Sequence, residues 1–143
     1  MEQYSSPRPC RALIVEDEIV IALDLQDAMS EMGFSSCDLA SSDQKARSLA
    51  MWVQPDVALV DVCLDGGREG IEAGRWLREV CEVPIVFVTG YDDPDTIQRI
   101  HEQVPGAPVL SKPEYRKGLA AAVDDAIEHR IAWAFEPLVP SPG

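Results

Sequence analysis

Residues able to do phosphoryl chemistry close a series of short apolar runs in this chain. Glu16 and Asp17 follow the run 12–15, Asp61 follows 57–60, Thr89 follows 85–88, and Lys112 comes just after Val109 and Leu110. In an open α/β sheet the carboxyl ends of the strands line one crevice, so side chains that each end a strand converge although the chain separates them widely. Three carboxylates, a hydroxyl and an amine would then share a pocket. Phosphoryl transfer asks a protein mainly for a positioned nucleophile and for neutralised charge. Asp61 suits the nucleophile, forming an aspartyl phosphate, and Glu16 and Asp17 offer the oxygen ligands that Mg²⁺ prefers.

The elements that must position these residues are legible as alternating strands and helices. Residues 11–15 read as a buried strand and 19–32 as a helix, with Val20, Leu23, Ala28 and Met29 as apolar positions and Gly33 as its stop. Residues 36–40 form a second strand. Ser42 or Asp43 caps a helix to about Val53, where Gln54-Pro55 ends it, because proline disfavours helical geometry in the residue before it. Residues 57–62 form a third strand, 63–70 a loop with three glycines, and 71–81 a helix packing through Ile71, Gly74, Leu77 and Trp76 or Cys81. A fourth strand spans 83–88. Asp93-Pro94 starts a helix to about Val104, a short fifth strand covers 109–110, and a last helix runs from about Tyr115 to Trp133, with Leu119, Val123, Ala126, Ile127, Ile131 and Ala134 on its broad face. This alternation predicts an α/β fold, a doubly wound five-stranded parallel sheet flanked by five helices.

Length and charge narrow the function classes. The chain has 143 residues, enough for one domain with a real core, and 25 acidic residues against 12 basic give a net charge of −13. A nucleic-acid backbone would be repelled, and no Lys/Arg cluster relieves this locally. The cysteines Cys10, Cys37, Cys63 and Cys81 lack C-x-x-C spacing, and residues 1–9 carry no apolar signal core, so a reduced, cytoplasmic protein is expected. No apolar stretch approaches the roughly 20 residues that span a bilayer. Residues 1–9 read as a flexible start, 10–135 as the domain, and 136–143 as a Pro-rich tail too short for an output domain.

The segments LIVEDE at 13–18, VALVDV at 57–62, FVTGY at 87–91 and SKP at 111–113 resemble the receiver domain of two-component response regulators, over about residues 10–130. The Thr-Gly-Tyr segment at 89–91 is further similar to a subgroup of mostly stand-alone receivers. The resemblance implies strand order 2-1-3-4-5 and phosphorylation of Asp61 by a histidine kinase. It implies that Asp17, Asp61 and the backbone carbonyl of Cys63 hold Mg²⁺, with Glu16 acting mainly through water. Lys112 would pair with the phosphoryl oxygens, Thr89 would donate to another of them, and the Lys112-Pro113 bond would be cis. An unknown output protein is the implied partner, for a monomer or weak homodimer that works as an adaptor or as a phosphate sink.

Two positions depart from the common pattern. Val109 stands where many receivers place an aromatic switch residue, and Asp65 replaces a frequent proline. A Thr-to-ring relay therefore has no ring to move, and the stretch 90–99, with Tyr91 as its lone aromatic, is the expected switch segment.

Other readings fit less well. A haloacid-dehalogenase type of phosphohydrolase, with the same Asp nucleophile, needs a second acid at the position of Cys63. A flavodoxin-like binder wants a hydroxyl- and glycine-rich loop where Glu16, Asp17 and Glu18 stand. His101 and His129 are expected on the surface or in packing, the tryptophans Trp52, Trp76 and Trp133 in core or half-buried positions, and Trp133 with Phe135 as candidates for docking.

Overall fold

The computed structural model describes residues 10–64, 66, 67 and 69–135, the last five of these by backbone only. Its elements follow in the order β1 (Arg11–Val15), α1 (Ile19–Glu31), β2 (Ser36–Ala40), α2 (Asp43–Val53), β3 (Val57–Asp61), α3 (Glu69–Cys81), β4 (Ile85–Thr89), α4 (Pro94–Gln103), β5 (Val109–Ser111) and α5 (Tyr115–Phe135). All strands pair in parallel in the order β2-β1-β3-β4-β5. This is the doubly wound, flavodoxin-like arrangement expected of the sequence.

The strands are apolar nearly throughout because both sheet faces are covered. Successive side chains alternate between the faces. Ala12, Ile14, Val57, Leu59, Val86 and Val88 thus pack with Leu25, Met29, Leu119 and Val123 of α1 and α5. Leu13, Val15, Ala58, Val60, Ile85 and Phe87 pack on the other face with Ala46, Ala50, Ile71, Leu77 and Ile100 of α2, α3 and α4.

Local chemistry sets the helix ends. The Ser42 side chain accepts from the Lys45 N–H, and Asp93 accepts from the Thr96 N–H at 3.1 Å and the Thr96 hydroxyl at 2.9 Å. Gln54 leaves α2 through the left-handed region, φ 50°, directly before Pro55.

Several boundaries move. The fourth strand begins at Ile85 rather than 83, because Pro84 has no N–H to give the ladder and contributes only its carbonyl, to the Ala58 N–H. The third strand ends on Asp61, one residue earlier than expected, and the third helix begins at Glu69, inside the expected loop. Smaller shifts end α1 at Glu31 and α4 at Gln103, and extend β5 to Ser111 and α5 to Phe135.

Two packing expectations are corrected. On α1 the buried residues are Ala22, Leu25, Ala28 and Met29, while Val20 is 76% exposed and Leu23 lies half out. The first two turns of α1 are apolar nearly all round, so periodicity offered several faces and the sheet selected one. Trp52 is 85% exposed, because α2 meets the sheet through Ala46 and Ala50 and residue 52 points away from that stripe. Trp76 is half-buried beneath the Arg47 guanidinium, 5.1 Å from its ring centre. The side chains of Trp133 and Phe135, residues 1–9, Asp65 and the tail 136–143 lie outside the described residues.

Candidate functional site

Parallel register brings the strand ends to one edge of the sheet. Val15 of β1 sits beside Val60 of β3, so Glu16 and Asp17, just past β1, come up against Asp61. One carboxylate oxygen each from Glu16, Asp17 and Asp61 lie within 4.8 Å of one another. Glu16 and Asp61 are only 3% and 4% exposed, whereas Asp17 faces solvent.

Lys112 enters from the far side of the sheet. Thr89 is the register partner of Ser111, and the Lys112 N–H donates to the Thr89 carbonyl at 2.9 Å, which brings the next side chain back over β4 toward β3. Its Nζ lies 3.1 Å from Glu16 Oε1, 3.3 Å from Asp61 Oδ2 and 3.6 Å from Glu18 Oε1. Backbone amides hold the carboxylates from the other direction: the Cys63 N–H donates to Asp61 Oδ1 and the Glu18 N–H to Glu16 Oε2, each at 3.1 Å. The Lys112-Pro113 peptide is cis.

Thr89 is fully buried at the end of β4, with its hydroxyl turned toward backbone. It accepts from the Tyr91 N–H at 2.8 Å and donates to the Tyr91 carbonyl at 3.3 Å. The Tyr91 ring is about half exposed, and Val109 is partly buried against the cluster around Phe87. Glu16, Asp17, Asp61 and Lys112 are therefore in one constellation, with Thr89 joined to it through the Lys112 amide rather than by its hydroxyl.

Two residues of the site escaped the sequence reading. Glu18 passes for an ordinary acidic residue before a helix, yet it reaches Lys112. Gly70 belongs to a glycine-containing segment, and the place where it touches the site cannot be read from composition. Its N–H donates to the Val62 carbonyl, and a Cβ there would lie 1.8 Å from the Asp61 carbonyl oxygen. Only glycine lets α3 start this close to the Asp61 backbone.

The electrostatics follow from crowding. Burial, and then the Asp61 charge, push the Glu16 carboxyl up to about 7, although the Glu18 N–H and Lys112 pull the other way. Burial alone would lower the Lys112 pKa, but Asp61 and Glu16 hold the ammonium above its ordinary value, so it stays charged. Burial, followed by the charges of Asp61 and Asp17, raises the Cys63 thiol and keeps it protonated, an inert neighbour rather than a nucleophile.

This donor set fits a hard divalent cation. It offers oxygens only, carries excess negative charge, and contains the buried Glu16 Oε1, which has no aligned hydrogen-bond donor despite the nearby ammonium. Glu16 also makes metal-free stability pH-dependent. Its folded pKa lies above its ordinary 4.5, so its contribution is fully present below about pH 4.5 and is lost as pH rises through about 7. Thermal unfolding in a chelator should show wild type losing ground to Glu16→Gln across that window. Parallel curves would show that Glu16 carries no such penalty.

A model of the response regulator receiver domain family matches residues 12–124. The chain belongs to that family. Among curated relatives, the transcriptional regulatory protein PdtaR of Mycobacterium tuberculosis is 32% identical over 119 residues, which are 83% of this chain and 57% of PdtaR. The phyllosphere-induced regulator PhyR of Methylorubrum extorquens is 33% identical over 82 residues, 57% of this chain and 31% of PhyR. The chain thus spans little more than half of the one relative and under a third of the other.

Solved receivers agree in fold. The signal receiver domain of a modulated diguanylate cyclase from Desulfovibrio desulfuricans G20 superposes with a TM-score of 0.77 at 30% identity, covering 87% of this chain and 98% of that one. A two-component response regulator from Clostridium difficile gives 0.73 at 25% identity, covering 85% and 98%. The receiver is thus a signalling fold here, and among the described residues no helix is long and apolar enough to cross a membrane.

Proposed function

We propose that this receiver accepts a phosphoryl group on Asp61 from the phosphohistidine of a histidine kinase, and that the modification switches binding of an output partner or drains the kinase of phosphate. The observation that carries this reading is the environment of Asp61. It is a nearly buried carboxylate with Lys112 on one oxygen, the Cys63 amide on the other, and two further carboxylates able to share a cation with it. A bond forms from an Asp61 oxygen to phosphorus as the P–N bond of the phosphohistidine breaks. The imidazole leaves with the electron pair and takes up a proton.

Mg²⁺ held by Asp17, Asp61 and the Cys63 carbonyl, with Glu16 close by, would offset the charge that gathers on the phosphoryl oxygens. Lys112 already stands in the pocket as a fixed positive charge, and it must loosen its hold on Asp61 Oδ2 to meet a phosphoryl oxygen. A hydrolase with the same nucleophile is less well supported, since the position two residues on holds the protonated thiol of Cys63. Incubation with Mg²⁺ and acetyl phosphate, followed by peptide mapping, tests the reading: one labile phosphoryl adduct on the peptide containing Asp61 supports it, and an adduct only elsewhere overturns it.

The switch is proposed to run through Tyr91. To reach a phosphoryl oxygen the Thr89 hydroxyl must turn away from the Tyr91 carbonyl, which frees the start of the segment 90–99. With Val109 in place of an aromatic ring, reordering of 90–99 and repacking of Tyr91 toward the 109–119 face supply the new surface. A beryllofluoride phosphoryl mimic should raise amide protection in 90–99 more than elsewhere outside the pocket. Full protection of that segment in the free protein, or phosphorylation-dependent partner capture that survives Tyr91→Ala, would sink the idea. Capture of a partner only with the mimic present separates an adaptor from a sink.

A further inference from the structure

Among the described residues, Glu18 stands at the pocket without a task in the phosphoryl-acceptor reading. Glu18 is the N-cap residue of α1, yet its side chain caps nothing. Its amide is pinned to Glu16 Oε2, so the backbone at 18 is fixed at the mouth of the pocket. From there the carboxylate, 65% exposed, reaches Lys112 Nζ at 3.6 Å. The same ammonium is shared with Glu16 and Asp61 at 3.1 and 3.3 Å. Both of those acids are buried. Among the described residues, Glu18 is therefore the outward partner of Lys112, the cation placed to meet an incoming phosphoryl group.

We infer that Glu18 is a specificity-determining residue, which competes for Lys112 and repels small, freely diffusing dianionic phosphoryl donors. The inference rests on Asp61 being the acceptor. A free donor such as acetyl phosphate brings its full charge to the mouth of the pocket with no docking contacts to offset the repulsion from Glu18. A phosphohistidine arrives on a protein surface, whose docking contacts can outweigh one exposed carboxylate. The filter thus works against metabolite-sized donors, in which the Asp61 oxygen–phosphorus bond forms as the phosphorus–oxygen bond to acetate breaks and acetate leaves with the electron pair.

The size of the effect follows from Coulomb's law. One charge acting on a dianion about 7 Å away at a dielectric constant close to that of water, about 80, changes the labelling rate roughly sevenfold before salt screens it. Glu18→Gln should accelerate labelling of Asp61 by acetyl phosphate by about that factor at low ionic strength, with the gain shrinking toward unity near 1 M salt. Glu128→Gln, the same charge change on an exposed residue at the far end of α5, should give little gain.

A readout without turnover is the affinity of beryllofluoride in the presence of Mg²⁺. It should tighten severalfold in Glu18→Gln, because Lys112 is no longer drawn outward. Label on Asp61 at equal rates in wild type and Glu18→Gln, or a gain that Glu128→Gln matches or that high salt leaves intact, overturns the role of Glu18 alone. No label on Asp61 in any form overturns the acceptor reading beneath it, and the filter with it.

Discussion

Asp61→Asn should abolish phosphoryl uptake, a loss of at least about a thousandfold, because the carboxylate proposed to form the acyl phosphate becomes a non-nucleophilic carboxamide. The substitution is nearly isosteric. The Asn carbonyl can still accept from the Cys63 N–H, which fixes the Asp61 side chain at 3.1 Å, so the shape of the pocket survives. Its charge does not. Asp61 is the second cause, after burial, of the upward push on Glu16, and its removal should return the Glu16 carboxyl toward its ordinary range. The variant should therefore be folded, inert to acetyl phosphate and phosphohistidine donors, and less sensitive than wild type to pH near 7 when metal is chelated. Intact-mass analysis and thermal unfolding check both halves. Undiminished labelling would move the nucleophile elsewhere.

The second large effect comes from a residue with no side chain. Gly70→Ala should destabilise the protein by about 3 kcal/mol or more and slow phosphorylation about a hundredfold in whatever fraction folds. The new Cβ would sit 1.8 Å from the Asp61 carbonyl oxygen and 2.7 Å from both the Asp61 carbonyl carbon and Val62 Cα, and all three are backbone atoms. Neither side can yield cheaply. β3 is buried along its whole length and paired on both edges, and α3 is tied to it by the Gly70 N–H to Val62 carbonyl bond. Relief requires moving the first turn of α3 or the strand end that carries Asp61, and a shift near 1 Å there would disturb the geometry the proposed chemistry needs. Gly90→Ala is the matched control, since nothing lies within 4 Å of its Cβ and stability should change by no more than about 0.5 kcal/mol. Denaturant unfolding gives the first quantity and the labelling rate the second. A Gly70→Ala protein as stable and as fast as wild type would mean that the helix start adapts freely.

What the sequence determines by itself is the alternation of elements and the identity of the residues that end them. Buried parallel strands must be apolar on both faces, so 57–60 and 85–88 announce themselves, and the polar residue that ends each run marks the crevice. The acid pair, Asp61 and Lys112 were legible for that reason, and the structure joins them directly. Turn and cap chemistry is local, and Ser42, Gln54-Pro55 and Asp93 were readable on the same ground. Tertiary structure decided the rest, wherever the deciding partner is distant in sequence. The apolar first half of α1 could have buried several faces, and the packed sheet chose Ala22, Leu25 and Met29 over Val20 and Leu23. Trp52 was left in solvent because α2 approaches the sheet closely through two alanines. Glu18 became a partner of Lys112, and Gly70 a necessity for Asp61, only when β1, β3, β5 and α3 met at one end of the sheet. Neither a carboxylate before a helix nor a glycine inside a loop carries any local signal of the atom that will lie across from it in the fold.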